Sequence, residues 1–383
     1  MRYLTDCLKQ DLQKKLVFLA GPRQVGKSTV AKGLIASPNC YLNWDIGTHR
    51  KIIRELEWPK DQGIVVLDEL HNYPKWKGLL KGVIDEFNNK PPILVTGSAR
   101  LETFRKGGDA LTGRTYLYRL HPIDPLEACS HFSESSLLSA STRLLQTGGF
   151  PEAFLNTKEA DRLREDRLQI VVREDLRDLS NISELRGMQL LVDLLRERVG
   201  GVVNYSNLAA DIGVSSPTIK KWVELLERLY VIFLVYPFSR NLARTIRREP
   251  KVFFFDCAAG TNGEGARFEN LIAGTLLKYL QFENDHSGRR FNLHYYRDKD
   301  GREVDFVVTN GLKPHLLVEA KKSDATLSSA LSYLSNRLPD ASPWQIVGAT
   351  SRGRQVGAIR IVGIQDLHLI IAGLSISPIS RQT

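Results

Sequence analysis

Short apolar runs that end in small or charged residues recur through the first third of the chain. The segments Leu16–Ala20 and Ile93–Thr96 read LVFLA and ILVT, and a similar run, GIVVL, leads into Asp68. Short, continuous apolar runs are typical of strands buried in a parallel sheet. Apolar residues at helical spacing, such as Val30 and Leu34, follow the first run. We therefore expect an α/β multidomain chain that opens with a parallel sheet.

The pattern changes after the segment HPIDPLE at residues 121–127. Charged stretches with helical spacing then dominate until about residue 250, and alternating, strand-like segments return beyond it. The sequence predicts four regions: a parallel-sheet domain over 1–126, a helical connector over 127–185, a winged-helix-like domain over 186–250 and an α/β domain over 251–383.

Two helices around a tight glycine turn are expected in the third region, which is a helix-turn-helix pattern. Gly213 marks the turn, and Ser215 or Ser216 caps the second helix. The buried face of that helix is predicted to carry Ile219, Trp222, Val223 and Leu226. The apolar run YVIFLVYPF reads as a strand and completes a winged-helix shape.

A helix-turn-helix that binds DNA places the start of its second helix in the major groove. The candidate contacts are Ser215, Ser216, Thr218, Lys220 and Lys221, and the basic stretch that follows, a wing or a linker, contains Arg240, Arg244, Arg247, Arg248 and Lys251. The alternative is a winged helix that only packs between domains.

The first apolar run leads into LAGPRQVGKST, which matches the phosphate-binding motif G-x-x-x-x-G-K-[ST]. Its backbone N–H groups, with the positive end of the next helix, surround a β-phosphate. Lys27 is expected to reach the β- and γ-phosphates, and Ser28 to bind Mg²⁺. The predicted nucleotide-binding residues are Gly21, Pro22, Arg23, Gln24, Val25, Gly26, Lys27, Ser28 and Thr29.

Acids follow the run GIVVL at the end of its predicted strand, where ligands bind in open α/β sheets. We expect Asp68 to hold Mg²⁺ through water and Glu69 to polarise the attacking water. Asp45, at the end of another strand, is a further candidate for the same crevice. Ser98, at the tip of the strand ILVT, is the candidate for positioning the water.

An arginine that stabilises charge on the γ-phosphate is a common part of such sites and comes from the same chain or a neighbour. The candidates are Arg100, Arg114 and Arg119, and we favour Arg114. The sequence alone does not choose among them.

Several segments together resemble a family of prokaryotic AAA-type ATPases: LAGPRQVGKST, YLNWDI, VVLDELHNYPKWKGLLKGVID, ILVTGSARL and GGDALTGRTYLYRLHPI. The resemblance covers residues 1–126 most clearly and continues through the rest of the chain. It implies an AAA-type ATPase domain with ATP and Mg²⁺ as cofactors, and hydrolysis at Lys27, Ser28, Asp68 and Glu69. It implies no settled substrate.

A second candidate site lies in the last third, in GREVDFVVTNGLKPHLLVEAKKS. Asn310-Gly311 is a strong turn signal between two strands. A hairpin turning near Leu312 places Asp305 opposite Glu319, and Lys321 shares the face of Glu319. Asp305 and Glu319 would bind Mg²⁺ while Lys321 orients a water against a phosphodiester.

This arrangement matches the PD-(D/E)XK nuclease pattern, which the same ATPase family carries at its C-terminus, so a restriction-endonuclease-like domain is implied. Glu269, near the start of the preceding predicted helix, would add a third carboxylate to the possible nuclease site. The residue before Asp305 is Val304 rather than the proline of the pattern, which weakens the match at that position. A fold that binds nucleic acid or a protein partner without cutting is the alternative.

Charge and composition modify this interpretation only slightly. The formal net charge is +10 over 383 residues, which favours a polyanion such as DNA. The four cysteines are far apart and suggest neither a zinc site nor a disulfide framework, so we expect a cytoplasmic protein. The start has no signal-peptide pattern, and no apolar run is long enough to cross a membrane.

Three functions remain open at this point. The chain is a DNA-associated ATPase whose nuclease-like domain binds or cuts nucleic acid, an ATP-dependent switch whose C-terminal half contacts proteins, or a binding protein with little turnover. A homo-oligomer is compatible with each of them.

Overall fold

The computed structural model describes residues 2–87, 90–97, 111–172, 182–239, 248–323, 326–348 and 353–374. Of the predicted site residues, Ser98 and Arg100 lie outside the described residues, as do Arg240, Arg244 and Arg247 of the basic stretch. The chain divides into two compact units. The first comprises Met1–His121 with Arg228–Tyr230, and the second comprises Pro122–Glu227 with Val231–Thr383.

The first unit alternates strands and helices, as the apolar runs predict. Its strands are β1 (Leu16–Ala20), β2 (Tyr41–Asn43), β3 (Val65–Asp68), β4 (Ile93–Thr96) and β5 (Thr115–Arg119). Its helices are α1 (Thr5–Leu12), α2 (Lys27–Lys32), α3 (Gly47–Glu55) and α4 (Trp76–Phe87), with 3₁₀ turns at Pro38–Cys40 and Leu70–Asn72. Helix α2 is shorter than the apolar spacing suggests. It ends at Lys32, before Gly33, and does not reach Leu34.

These strands form a parallel sheet in the order β2-β3-β4-β1-β5. The carboxyl ends of all five therefore lie at one edge, and this edge carries both the glycine loop after β1 and Asp68 at the end of β3. Strand β4 separates the two, so Thr96 ends between the loop and the acid. The parallel sheet predicted for this part of the chain is confirmed.

Apolar side chains on both faces hold this sheet. Leu67 and Val95 have no exposed surface, and Phe18 meets Trp76 of α4 edge to face with ring centroids 5.8 Å apart. Strands buried on both faces need continuous apolar runs, which explains why β1, β3 and β4 show no alternation. Burial of this kind is the main stabilising contribution to the unit.

The second unit begins with short helices and ends in a mixed sheet. Its helices are α5 (Pro125–His131), α6 (Leu137–Thr147), α7 (Pro151–Leu155), α8 (Ala160–Ile170), α9 (Ile182–Arg196), α10 (Tyr205–Ile212), α11 (Ser216–Arg228), α12 (Glu264–Ser287), α13 (Ser329–Arg337) and α14 (Leu367–Ala372). Its strands are β6 (Ile232–Pro237), β7 (Lys251–Phe254), β8 (Phe291–Arg297), β9 (Glu303–Asn310), β10 (Lys313–Lys321), β11 (Ser342–Val347), β12 (Arg354–Val356) and β13 (Ile359–Gly363). Within the described part of this unit, 3₁₀ turns lie at Thr157–Glu159 and Ile364–Asp366.

The mixed sheet has the order β12-β13-β11-β10-β9-β8-β6-β7. Strands β8, β9 and β10 run antiparallel in succession, and β11 returns parallel to β10. The turn between β9 and β10 falls at Gly311, which adopts a positive φ of 62°. Phe306 pairs with Val318, so the next position along places Asp305 opposite Glu319, as the hairpin prediction requires.

The predicted pair of helices is present in the second unit. Helix α10 ends at Gly213 in the left-handed conformation, and α11 buries Ile219, Trp222, Val223 and Leu226 on one face. Ser215 caps α11 by accepting a hydrogen bond from the backbone N–H of Thr218 (3.3 Å). The next strand, β6, pairs with both β7 and β8 and so extends the C-terminal sheet instead of ending as a separate wing.

Two buried ion-pair clusters hold the helical part of this unit. Arg164 and Arg167 of α8 both contact Asp256, and all three side chains are at most one-tenth exposed. The charged pattern of α8, with apolar residues at helical spacing, predicts an amphipathic helix and does not reveal these contacts. Lys278 of α12 contacts Asp124 and Glu127 in the same buried manner.

Gly21 allows a close approach of two backbone segments. It has φ +148°, and a Cβ added there would collide with the carbonyl oxygen of Leu120, just after β5. We expect Gly21→Ala to lower the free energy of unfolding of the first unit by about 1–3 kcal/mol, because the strained backbone and the collision are both relieved only by moving the loop. Urea denaturation followed by tryptophan fluorescence measures this change.

Gly33→Ala is the matched control, since Gly33 ends α2 with φ −74° and a Cβ there only touches the Val30 carbonyl oxygen at 3.4 Å. Equal stability of Gly21→Ala and Gly33→Ala would show that the approach to Leu120 is unimportant.

Candidate active site

The loop between β1 and α2 has the backbone of an anion cradle. Gly21, Gln24 and Gly26 adopt positive φ values of 148°, 60° and 97°. Where right-handed and left-handed backbone conformations alternate along a loop, successive N–H groups point toward one side and can bind an anion. The positive end of the α2 helix dipole lies at the same loop and adds to this attraction. The Nζ of Lys27 donates to the carbonyl oxygens of Gly21 (3.0 Å) and Pro22 (2.6 Å), so its charge is held against the loop.

Arg2, far away in sequence, fixes the same loop from behind. Its guanidinium donates to the carbonyl oxygens of Val25 (2.8 Å) and His121 (2.6 Å), and the Arg2 side chain is buried. Val25 itself has no exposed surface. No local pattern near the start of the chain indicates this role, because the partners are brought together only by the sheet.

Asp68 accepts hydrogen bonds from three hydroxyl groups. Ser28, the second residue of α2, donates to Asp68 Oδ2 at 2.8 Å. Tyr41 of β2 donates to the same oxygen, and Thr96 of β4 donates to Oδ1. Asp68 is almost completely buried, so these donors replace the water that a carboxylate needs.

Tyr41, like Thr96, was not predicted from the sequence to contact Asp68. Burial and the hydrogen bond to Asp68 raise the pKa of its phenol to about 12, so it remains a donor at neutral pH. The ammonium of Lys32 lies 4.7 Å from the centroid of its ring. The sequence signals a role for Tyr41 only by placing an aromatic residue at the start of β2.

Glu69 differs from Asp68 in both backbone and environment. Its φ is 54°, and its carboxylate lies 3.4 Å from Nδ1 of His71. Burial raises the pKa of Glu69 to about 6, helped by the neighbouring charge of Asp68 and opposed by Lys27 and Arg23. A carboxylate with a pKa in this range is mainly ionised at neutral pH and still accepts a proton readily, which suits a general base.

The remaining predicted residues lie at different places around the sheet. Asp45 is exposed after β2, and its Oδ1 accepts a hydrogen bond from Asn72 (3.1 Å). Arg119 ends β5 beside Ala20, at the edge that carries the loop. Arg114 precedes β5 at the opposite edge, roughly 17 Å from Arg119 along the strand, and it contacts Asp85 of α4. The structure therefore does not bring Arg114 to the loop of its own chain.

The donor set around Ser28 fits a magnesium ion. Mg²⁺ prefers hard oxygen ligands and is usually bound by one or two protein groups plus phosphate and water. The hydroxyl of Ser28 and the carboxylate of Asp68 provide two such oxygens 2.8 Å apart. Ser28 and Asp68 are thus the residues that would hold the ion beside a bound triphosphate.

The second unit brings together all four residues of the possible nuclease site. Asp305 Oδ2 accepts from the backbone N–H of Ala320 (2.8 Å), and the backbone N–H of Asp305 donates to Glu319 Oε2 (3.4 Å). Lys321 Nζ lies 2.7 Å from Glu319 Oε1. Glu269 of α12 approaches this group through Lys251, whose ammonium is 3.2 Å from Glu269 Oε1.

Lys251 and Glu303 complete this cluster, and neither was proposed for it from the sequence. The ammonium of Lys251 lies 2.6 Å from Glu303 Oε1 and 3.9 Å from Asp305 Oδ1. Burial and the charge of Asp305 raise the pKa of Glu269 to about 8, and burial also raises the pKa values of Asp305 and Glu319. The carboxylates are therefore crowded and depend on the two lysines.

These residues do not fit a magnesium ion as they are arranged. Each carboxylate oxygen of Asp305 and Glu319 faces an N–H group or an ammonium. Across the described ranges, no cluster of three or more histidine, cysteine, aspartate or glutamate side chains is placed to hold a metal.

The described helices include none with both the length and the apolar character needed to span a bilayer.

Three segments of the chain match models of known protein families. Residues 13–129 match the AAA domain family, and this stretch contains the loop, Asp68 and the sheet described above. Residues 139–262 and 264–361 match two domains of unknown function, DUF8612 and DUF4143. The first part of the chain is thus similar to the AAA domain family, and its C-terminal part is similar to the DUF4143 family.

Curated relatives and solved structures add little about activity. The uncharacterized proteins Rv2008c of Mycobacterium tuberculosis and Mb2031c of Mycobacterium bovis are each 24% identical over 335 residues, covering 82% of this chain and 72% of theirs. The Orc1 protein of Aeropyrum pernix, solved in complex with DNA, aligns with a TM-score of 0.34 at 12% identity over 72% of this chain and 94% of that chain. The Bacillus subtilis DNA clamp loader delta protein aligns with a TM-score of 0.29 at 11% identity, over 58% and 88%. Such scores do not establish a shared overall fold.

Tyr41 provides a test of the hydroxyl donors around Asp68. Tyr41→Phe removes one donor without changing the ring, so we expect a loss of about 10–100-fold in apparent Mg²⁺ affinity or turnover, as for other groups that orient metal ligands. The Mg²⁺ dependence of ATP turnover measures the effect. Tyr116→Phe, on β5, is the control, and an identical Mg²⁺ dependence in the two variants would contradict the role of Tyr41.

Proposed function

We propose that the first unit binds ATP with Mg²⁺ and hydrolyses it. The observation that carries this proposal is the hydrogen bond of 2.8 Å between Ser28 and Asp68, which joins the end of the glycine loop to the acid two strands away. A glycine turn without a nucleotide has no need of an acid at that position. The match of residues 13–129 to the AAA domain supports the same conclusion.

The roles of the residues follow from their positions. Backbone N–H groups from Gly21 to Thr29 bind the phosphates, and Lys27 turns from the loop carbonyls toward the β- and γ-phosphate oxygens. Ser28 and Asp68 would hold the ion, which would supply positive charge beside the phosphates. Glu69, at the edge of the crevice, takes the proton of the attacking water, while Thr96 keeps Asp68 in place.

Ser98 remains the proposed residue for positioning that water. Arg114 lies at the opposite edge of the sheet, so its proposed role as the arginine is at the site of a neighbouring copy in a homo-oligomer. Arg119 is the candidate from the same chain.

We further propose that the protein associates with DNA through α10 and α11. Lys220 and Lys221 are exposed on the second helix of the pair, opposite its buried apolar face. The excess of ten positive charges supplies a general attraction for phosphate groups. In this proposal the C-terminal sheet, which contains the nuclease-like hairpin, binds the same nucleic acid as the helix pair.

A second candidate function is an ATP-dependent switch whose C-terminal half contacts protein partners and lacks nuclease activity. The observation that favours it is the Lys251 ammonium among the carboxylates of the nuclease-like cluster. ATP turnover with and without single- and double-stranded DNA, with the DNA recovered on a gel, separates the two. Stimulation of ATP turnover by DNA supports the first candidate, and ATP turnover that does not change when DNA is added supports the switch.

Two substitutions separate nucleotide binding from hydrolysis. Lys27→Ala should reduce turnover by about 10²–10³-fold through loss of charge at the phosphates. Glu69→Gln should keep ATP binding while losing about 10²–10⁴-fold in turnover, because the base is gone. Equilibrium binding of a fluorescent ATP analogue and phosphate release give the two readouts.

Lys51→Ala and Glu55→Gln, both on the exposed surface of α3, are the matched controls. Turnover by Lys27→Ala at the rate of Lys51→Ala would refute the ATP site. Turnover by Glu69→Gln at the rate of Glu55→Gln would remove Glu69 from the mechanism.

The proposed DNA surface is tested by salt dependence. Replacing Lys220 and Lys221 together with alanine should lower the slope of log Kd against log salt concentration by about 1–2, because each lysine that contacts a phosphate releases about one counterion. Fluorescence anisotropy with a labelled duplex provides the measurement.

The control removes the same charge elsewhere, with Lys158→Ala and Lys299→Ala on exposed positions of the second unit. An equal change of slope in both double variants would mean that DNA follows net charge and not the helix pair.

A further inference from the structure

Lys251 is a buried cation in the middle of the nuclease-like cluster. Its side chain is 3% exposed, and its Nζ lies within 3.9 Å of carboxylate oxygens from Glu269, Glu303 and Asp305. These three acids come from α12 and β9, so they are gathered around one point by separate elements. A point charge surrounded by oxygens in this way is the environment that a protein normally provides for a metal ion.

The backbone holds Lys251 firmly at this position. It pairs with Val235 of β6 on one side and forms an isolated bridge with Val202 on the other. The flanking groups are also bonded, since Val252 donates to Gly201 (3.1 Å) and Val203 donates to Pro250 (2.8 Å). The side chain also passes near the ring of Tyr295, with Nζ 5.6 Å from the centroid. Moving the ammonium out of the cluster would leave its buried carboxylates without their counter-ion.

Gly200 brings a further constraint on the same cluster. A Cβ added at Gly200 would lie 2.8 Å from Glu269 Oε2, so the backbone itself closes this side of the Glu269 carboxylate. Asp305 and Glu319 are occupied as well, by the N–H groups of Ala320 and Asp305 and by Lys321. A divalent ion entering here would have to break these bonds and lie beside an ammonium of like charge.

We propose that Lys251 is the resident cation of this cluster, because its ammonium lies among Glu269, Glu303 and Asp305 where a divalent metal bound to Asp305 would need room. Asp305 and its neighbours therefore exclude Mg²⁺ while Lys251 is present. The C-terminal unit does not cleave phosphodiesters by a metal-assisted route. This inference concerns the second unit alone and does not rest on ATP hydrolysis.

Manganese titration of the full chain tests the inference directly. All proteins carry Asp68→Asn as a common background and are studied without nucleotide, so that the proposed ATP site contributes no metal binding. Electron paramagnetic resonance measures the concentration of free Mn²⁺. Four proteins are compared: the background, the background with Asp305→Asn, the background with Lys251→Met, and the background with both Lys251→Met and Asp305→Asn. We expect the first two to give the same curve, and Lys251→Met to gain one bound Mn²⁺ per chain that Asp305→Asn removes again.

The arm that retains Lys251 decides the question even if Lys251→Met fails to fold. Mn²⁺ binding by the background protein that Asp305→Asn abolishes would overturn the inference. A folded Lys251→Met protein without any gain would overturn it too, because the ammonium would then not be what keeps the metal out. Lys313→Met, which removes an exposed lysine at the start of β10, is the matched control and should gain no site.

Discussion

The buried carboxylate of Asp68 is the group on which the first unit depends. A charged side chain inside a protein is tolerated only when other groups replace its water, and here three hydroxyls do so. They come from α2, β2 and β4, so the sheet order must be correct for all three to arrive. The hydrogen-bonded site around Asp68 therefore forms only when the sheet has this strand order.

The two carboxylate sites of this chain differ in what surrounds them. Hydroxyl groups around Asp68 are neutral and exchange readily, so its oxygens remain suitable for a metal that arrives with a nucleotide. Around Asp305 and Glu319 the partners are ammonium and backbone N–H groups, which already occupy the carboxylate oxygens. Similar residues on the ends of strands are thus prepared for different chemistry.

Much of this arrangement was predictable because it is encoded locally. The loop motif depends on consecutive residues, and the turn at Gly311 with the alternation of β9 and β10 is enough to place Asp305 opposite Glu319. The two helices around Gly213 follow from spacing and capping in the same way.

The remaining contacts depend on which strands become neighbours, and local patterns do not encode that. Tyr41 and Arg2 reach the proposed ATP site only through the sheet, and Lys251 reaches the second cluster only because β6 and β7 join the C-terminal sheet. The basic residues near Lys251 suggested a wing or a linker, whereas this lysine is buried. Arg114 shows the reverse case, since a promising residue lies at the wrong edge of the sheet for its own loop.

The most direct test of the account is a crystal structure of the full chain with Mg²⁺ and a non-hydrolysable ATP analogue. The account predicts the triphosphate against the backbone of residues 21–29, with the metal bound by Ser28 on the side that faces Asp68. A nucleotide bound elsewhere, or a metal without contact to either residue, would contradict it.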